Sequence, residues 1–385
     1  LPFIVITTYA AVPVDPFARR CTDVRAGWHF VQAGAANAAC EGHTFAKKTS
    51  RDGARADALR REGAARAENA PTMEQVPLID LAPLREGTGS GLAQVAHEIG
   101  VAARHIGFFA VEHHGVPDEL VTQMFAAARA FFALPFDEKQ ALSIEESPAY
   151  LGYARSELER LDPTRPGDVK ESFNMGRERD ADDPDVRNGT PFVGVNRWPS
   201  LPGFRSTMVR YFETLTRVGL DVHRAIAADL GLAPDFFIDK YDRPLTALRV
   251  LRYPPHPGEF NGTQYGAGPH TDYGGVTLLA QDGTEGLEVR RRDGMWIAVA
   301  PAPGTFVCNI GDAMMRWTND VYVSNAHRVV NRSGRERYSC AFFCEPNPDA
   351  LIACIPACES PANPAKYPPI AFADFLRSKV EPAYR

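Results

Sequence analysis

Between residues 247 and 346 the chain is a succession of short apolar runs separated by turn-forming Gly, Pro, Asn and Asp: ALRVLRYPP, VTLLAQD, GLEVRRRDGMWIAVAP, GTFVCNIGD, SNAHRVVN and RYSCAFFCEP. Each is too short for a globular helix, and the first alternates with a period of two. Arg249, Leu251 and Tyr253 fall on one face, Leu248 and Val250 on the other. Short strands at regular spacing predict an antiparallel sandwich or barrel. The preceding sequence has a helical period instead. GLAQVAHEIGVAARHIG, DELVTQMFAAARAFFALPFDEKQAL and GFRSTMVRYFETLTRVGLDVHRAIAADLGL carry apolar residues at helical spacing, and Asp118 after Pro117 is the expected N-cap of the second. A last helix is expected at AFADFLRSKVEPAY. The fold class is therefore α+β: helices first, then a β-core, then a closing helix.

The expected organisation has three parts. Residues 1–72 lack a core-facing apolar stripe, and LPFIVITTYAAVPV has no basic segment before it to make a signal peptide. This stretch reads as a disordered or non-native extension, with the functional chain starting near Met73. Residues 73–200 form a mainly helical region whose polar part, from about 145, reads as loops. Residues 201–385 hold the β-core and C-terminal helix.

The bulk composition narrows the function classes. A net charge of −6 gives no reason to expect nucleic acid or an anionic membrane as partner. No apolar run is long enough to span a bilayer. The seven cysteines show no CxxC spacing, which points to a reducing cytoplasm without a disulfide framework. A small-molecule substrate and a monomer or weak oligomer are the expectation.

The chemistry lies in PHTDYGGVTLLAQD, where His270 and Asp272 stand two residues apart at the start of a strand-like run. Side chains at i and i+2 of a strand point the same way, so both can grip one object. His327, in SNAHRVVN, is the best third ligand. Two histidines and one carboxylate form a facial triad with open positions, suited to non-haem Fe(II) and O2. A zinc hydrolase is a weaker alternative, because no HExxH helix is present. Ten residues beyond His327, Arg337 and Ser339 are again i and i+2. A guanidinium beside a hydroxyl is a carboxylate receptor.

With these motifs, the chain from about Met73 onward resembles the isopenicillin N synthase-like branch of the Fe(II)/2-oxoglutarate-dependent oxygenases. VPLIDLAPL, GFFAVEHHGVP and FFALPFDEK resemble the N-terminal region of that family, and LRYPP, PHTDYGGVTLLAQD, FVCNIGD, NAHRVVN and RYSCAFFCEP resemble its β-core. The resemblance implies a double-stranded β-helix, or distorted jelly roll, flanked by helices. It implies His270, Asp272 and His327 as Fe(II) ligands, and Arg337, Ser339 and Tyr253 as the holders of 2-oxoglutarate. Phe343 and Glu345 match positions that face the prime substrate in some relatives; Arg249, Tyr153 and Phe173 are further candidates. Leu251 stands where plant relatives often have Asn. The implied reaction consumes O2 and 2-oxoglutarate, releases succinate and CO2, and hydroxylates, desaturates or cyclises a small substrate. Alternatives within the resemblance are an isopenicillin N synthase-type oxidase, which uses no 2-oxoglutarate, and ethylene-forming fragmentation of 2-oxoglutarate. The alternative of another class is a catalytically silent jelly-roll binding protein. Specificity is expected from residues 145–200, loop 255–268 and the C-terminal segment.

Overall fold

The computed structural model describes residues 75–87, 89–161, 164–255 and 262–384. The expectation for residues 1–72 lies outside them, as does part of loop 255–268.

In chain order the main elements are β1 (Leu78–Asp80), α1 (Gly89–His105), β2 (Phe108–Glu112), α2 (Asp118–Phe132), β3 (Gly152–Ala154), β4 (Glu171–Gly176) and α3 (Phe204–Asp229). Next come β5 (Ala247–Tyr253), β6 (Ala267–His270), β7 (Val276–Gln281), β8 (Leu287–Arg290), β9 (Trp296–Ala298), β10 (Phe306–Ile310) and α4 (Asp312–Trp317). The chain continues through β11 (His327–Val329), β12 (Arg337–Cys344), β13 (Leu351–Ile352) and β14 (Ile370–Ala371) to α5 (Phe372–Ala383).

Eight strands form one sheet in the order β1-β2-β10-β7-β12-β5-β4-β3; a second sheet has the order β6-β11-β8-β9. Every pairing is antiparallel except β1 with β2. The strands from before residue 200 are thus members of the same sheet as β5, β7, β10 and β12, and the region 145–200, expected to be mostly loop, supplies two of them.

Strand alternation divides the large sheet into two faces. Leu248, Val250, Leu278, Cys340 and Phe342 join a core with the apolar stripes of α1, α2 and α3. On α3 that stripe is Met208, Tyr211, Leu215, Val218, Val222 and Ile226, spaced three or four apart. The opposite face, with Leu251, Tyr253 and Ala341, packs toward Leu287, Val289 and Val329 of the second sheet. A cleft opens between the two sheets there. One boundary differs from expectation: Pro117 is the N-cap of α2, without a side-chain cap bond, and Asp118 opens the first turn. Its carboxylate there still complements the helix dipole.

Among the described residues no helix is long and apolar enough to cross a membrane. Cys308, Cys340, Cys344, Cys354 and Cys358 are free thiols.

Gly107, at the turn from α1 into β2, adopts φ +69°, and a Cβ there would stand 2.1 Å from the Val323 carbonyl oxygen. The same turn holds its own carbonyl against the Ile310 amide at 2.9 Å. Gly107→Ala is therefore expected to destabilise the fold by at least ~2 kcal/mol, from the left-handed conformation and the backbone clash together. Urea unfolding measures it, and a loss under ~0.5 kcal/mol would show that the turn relaxes freely.

Candidate active site

His270 ends β6 and His327 begins β11, and the two are direct cross-strand partners. Their rings lie 4.2 Å apart between centroids. The strand expected to carry both members of the His-x-Asp pair stops at His270. Asp272 lies two residues beyond, in the turn toward β7, where its carbonyl accepts the Asp312 amide at 2.8 Å. Its Oδ1 stands 3.9 Å from His270 Nε2 and 3.6 Å from His327 Nε2. The three ligand atoms lie within 4.8 Å of one another.

The surroundings leave these atoms aimed inward. His270 Nδ1 is hydrogen-bonded to the Gly268 carbonyl at 2.7 Å, which turns Nε2 toward the centre. The remaining Asp272 oxygen accepts from Thr277 Oγ1 at 2.6 Å and Asn309 Nδ2 at 2.7 Å. Phe108 packs edge-on against the His327 ring at 5.4 Å. Burial, followed by the neighbouring His327, pushes the His270 imidazole well below its ordinary pKa. Burial tends to raise the Asp272 carboxyl, but His327, His270 and the two hydrogen bonds outweigh it and hold it low. A neutral imidazole and an ionised carboxylate are the states a hard-to-borderline divalent cation requires of its ligands.

The second feature is Arg337, which is wholly buried. Its Nη2 donates to Gln281 Oε1 at 2.9 Å, and its guanidinium carbon stands 4.9 Å from the Tyr253 ring centroid. Its Nε and Nη1 have no hydrogen-bond partner, and neither has Ser339 Oγ on the same strand face. No described carboxylate forms an ion pair with it. A buried cation with two free donors beside a free hydroxyl is a receptor for an anion from outside the chain.

The cleft between these features and the protein surface has a volume of about 180 Å³. Alternation along two strands builds its wall: Arg249, Leu251 and Tyr253 from β5, and Arg337, Ser339 and Ala341 with Phe343 from β12, followed by Glu345. Burial, to which Asp272 adds and which Arg249 opposes, pushes the Glu345 carboxyl up to about 8. Tyr153 and Phe173, expected at the cleft, lie elsewhere. Tyr153 hydrogen-bonds Glu171 and packs against Phe131. Phe173 packs on Phe131, Trp198 and Phe204. Their strand parity turns both into the helix-facing core.

Sequence reasoning missed a buried network along the cleft. Arg249 Nη1 binds both oxygens of Glu159, at 3.1 and 3.3 Å. Lys170 Nζ lies 2.9 Å from Glu159 and 2.7 Å from Asp168. Asp168 Oδ1 accepts the Gly268 amide at 2.9 Å. Glu159 and Asp168 sit in non-repeating loop sequence, so no period marks them. Gln281 was missed too, although its parity with Thr277 and Leu279 in VTLLAQD could have marked it; it pairs in register with Ser339.

Comparison with known proteins agrees with this geometry. Residues 76–201 match the family described as the N-terminal region of the non-haem dioxygenase in morphine synthesis, and residues 245–346 match the 2OG-Fe(II) oxygenase superfamily. The 2-oxoglutarate-Fe(II) type oxidoreductase hxnY of Emericella nidulans is 36% identical over 302 residues, 77% of this chain and 86% of that protein. Homoarginine-6-hydroxylase of Oryza sativa is 36% identical over 301 residues, 75% of this chain and 89% of that protein. The crystal structure of full-length Neurospora crassa T7H with 2-oxoglutarate (alpha-KG) superposes with a TM-score of 0.72 at 32% identity, covering 80% of this chain and 96% of that one. The chain belongs to the Fe(II)/2-oxoglutarate oxygenase superfamily, which includes the isopenicillin N synthase-like branch. Its fold is the jelly roll of that family, and it is a non-haem iron, 2-oxoglutarate-dependent dioxygenase.

Thr277 and Asn309 fix the Asp272 carboxylate by its outer oxygen. Replacing either by a residue without a donor, as in Thr277→Val or Asn309→Ala, is expected to weaken Fe(II) binding about 10- to 100-fold. Competition with a chromogenic chelator reads this, and unchanged affinity in both variants would show that Asp272 needs no such support.

Proposed function

We propose that His270, Asp272 and His327 hold Fe(II), that Arg337, Ser339 and Tyr253 hold the far carboxylate of 2-oxoglutarate, and that Phe343, Glu345 and Arg249 face the prime substrate. The unpaired guanidinium of Arg337 carries this reading. It lies in the same cleft as the triad, and its free donors suit a dicarboxylate that also reaches the metal. With iron and 2-oxoglutarate bound, the site supplies O2 activation coupled to decarboxylation of 2-oxoglutarate to succinate and CO2 and to oxidation of a substrate C–H bond.

The chain's own residues then bind, orient and exclude. Gln281 steadies one end of the guanidinium and leaves Nε and Nη1 for the co-substrate. Ser339 adds a hydroxyl donor on the same face. Leu251, Leu279, Leu287 and Val329 line the cleft near the triad and keep it dry, which strengthens each charged contact. Hydroxylation, desaturation or ring closure follows from which substrate carbon Phe343 and its neighbours hold nearest the metal. The substrate is a small organic molecule, and the free buried thiols suit a reducing compartment such as the cytoplasm.

Arg337→Gln is expected to raise KM for 2-oxoglutarate roughly 30- to several-thousand-fold, since breaking a desolvated charge pair costs about 2–5 kcal/mol. Ser339→Ala loses a single hydrogen bond to a charged group, about 1–3 kcal/mol. Arg337→Lys rescues only in part, because an ammonium lacks the two-pronged contact. Succinate release against 2-oxoglutarate concentration measures all three. Substrate turnover without any 2-oxo acid, with Arg337→Gln weakening the prime substrate instead, would refute the assignment.

A further inference from the structure

We infer that Glu159 is a specificity-determining residue: by occupying Arg249 and Lys170 it removes both cations from reach of a substrate carboxylate, so that the cleft takes an uncharged, largely apolar substrate. The inference rests on the reading that this cleft holds the prime substrate beside the triad.

Among the described residues lining the cleft, the lysine and arginine cations are Lys170, Arg249 and Arg337. Arg337 belongs to the co-substrate end. Arg249 is the cation nearest to hand for a substrate: it stands on β5 in the same face as Leu251 and Tyr253, and its guanidinium lies 5.7 Å from the Phe343 ring. Its charge is already matched by Glu159. Besides the two contacts of Nη1 with Glu159, Nη2 donates to the Tyr384 hydroxyl at 3.2 Å, and that hydroxyl donates to Glu159 at 3.1 Å. Lys170 is closed off on both sides by Glu159 and Asp168, with its side chain only 4% exposed.

The network resists opening. Burial tends to raise the Glu159 carboxyl, but Arg249 and then Lys170 outweigh it and hold the group ionised. An anion that recruited Arg249 would strip this buried carboxylate of one of its two cations, a loss the new contact would have to make good. Glu345, on the same wall, brings no positive charge to it. Much of the remaining cleft is apolar or aromatic, with Leu151, Leu161, Phe192, Leu245, Leu376 and Val380. This surface favours an uncharged skeleton, with the hydrogen-bonding groups of Asn174 and Glu345 left to orient it. Rejection of charged competitors by a pre-neutralised site is specificity through an unfavourable alternative.

The test uses matched pairs of an amide and its acid, phenylacetamide with phenylacetate and indole-3-acetamide with indole-3-acetate. They are titrated anaerobically into the Fe(II)- and 2-oxoglutarate-loaded enzyme, and binding is read by paramagnetic broadening of ligand NMR signals. In the natural protein each amide is expected to bind at least ~10-fold more tightly than its acid, equivalent to ~1.4 kcal/mol. Glu159→Gln, which frees Arg249, is expected to tighten the acids ~10-fold or more and to change the amides less than ~3-fold. A merely structural role would weaken both ligands alike. Acids binding the natural protein as tightly as their amides, or no gain of acid binding in Glu159→Gln, would overturn the inference. Should that variant fail to fold, Arg249→Gln decides: acid binding lost on this change would show that Arg249 does receive the anion, and an unchanged or higher preference for amides supports the inference. Loading with 2-oxoglutarate is followed separately by its visible charge-transfer absorption, so failure of the site assignment shows itself before any ligand is added.

Discussion

A full positive charge buried without a counter-charge is the constraint around which the rest of this structure is arranged. Removing a guanidinium from water costs several kcal/mol, and a protein retains it unpaired only where something else completes it. Arg337 is held in that state by the alternation of β12, which turns it into the cleft, and by Gln281 on the neighbouring strand β7. Tyr253 pairs with Arg337 across β5 and lays its ring along the guanidinium. Three strands of one sheet therefore fix a single anion receptor, and the second sheet brings His270 and His327, with Asp272 in the turn beyond, to the same cleft. A dicarboxylate with a 2-oxo acid end is the molecule that can satisfy both at once.

The two sheets are coupled by more than packing. The bonds run from Arg249 to Glu159, Lys170 and Asp168, then to the Gly268 amide, while the Gly268 carbonyl orients His270. The Arg249 wall of the cleft and the His270 imidazole thus share one buried network. Buried, fully paired charges of this kind contribute little net stability but define one geometry. A rigid site is what oxidative chemistry needs if the carbon that reacts is to be the one held nearest the metal.

Much of this was legible before any coordinates. The period of two in RYSCAFFCEP and ALRVLRYPP put Arg337 with Ser339, and Tyr253 with Arg249 and Leu251, on shared strand faces, and both faces line the cleft because a side-chain period of two leaves no freedom once one face is fixed. The clustering of His270, Asp272 and His327 was legible from their chemistry, although the strand-parity reason for the His-x-Asp pair was incomplete: β6 ends at His270 and Asp272 is positioned by the turn. Tyr153 and Phe173 were misplaced because aromatic residues in a polar region can serve a core as well as a pocket, and only the pairing of β3 and β4 with β5 decides which. Glu159 and Asp168 were invisible. Their partners lie far along the chain, and no local period signals a contact made by loops.

The most direct measurement is equilibrium binding of 2-oxoglutarate to the anaerobic, Fe(II)-loaded protein, followed by the visible charge-transfer absorption of a 2-oxo acid chelated to ferrous iron. The expected result is one iron per chain, and a saturable absorption that appears only when iron and 2-oxoglutarate are both present and that succinate does not produce. Iron bound with the same stoichiometry but no absorption on adding 2-oxoglutarate, or 2-oxoglutarate bound equally well without iron, would contradict a site in which one molecule bridges Arg337 and the His-Asp-His triad.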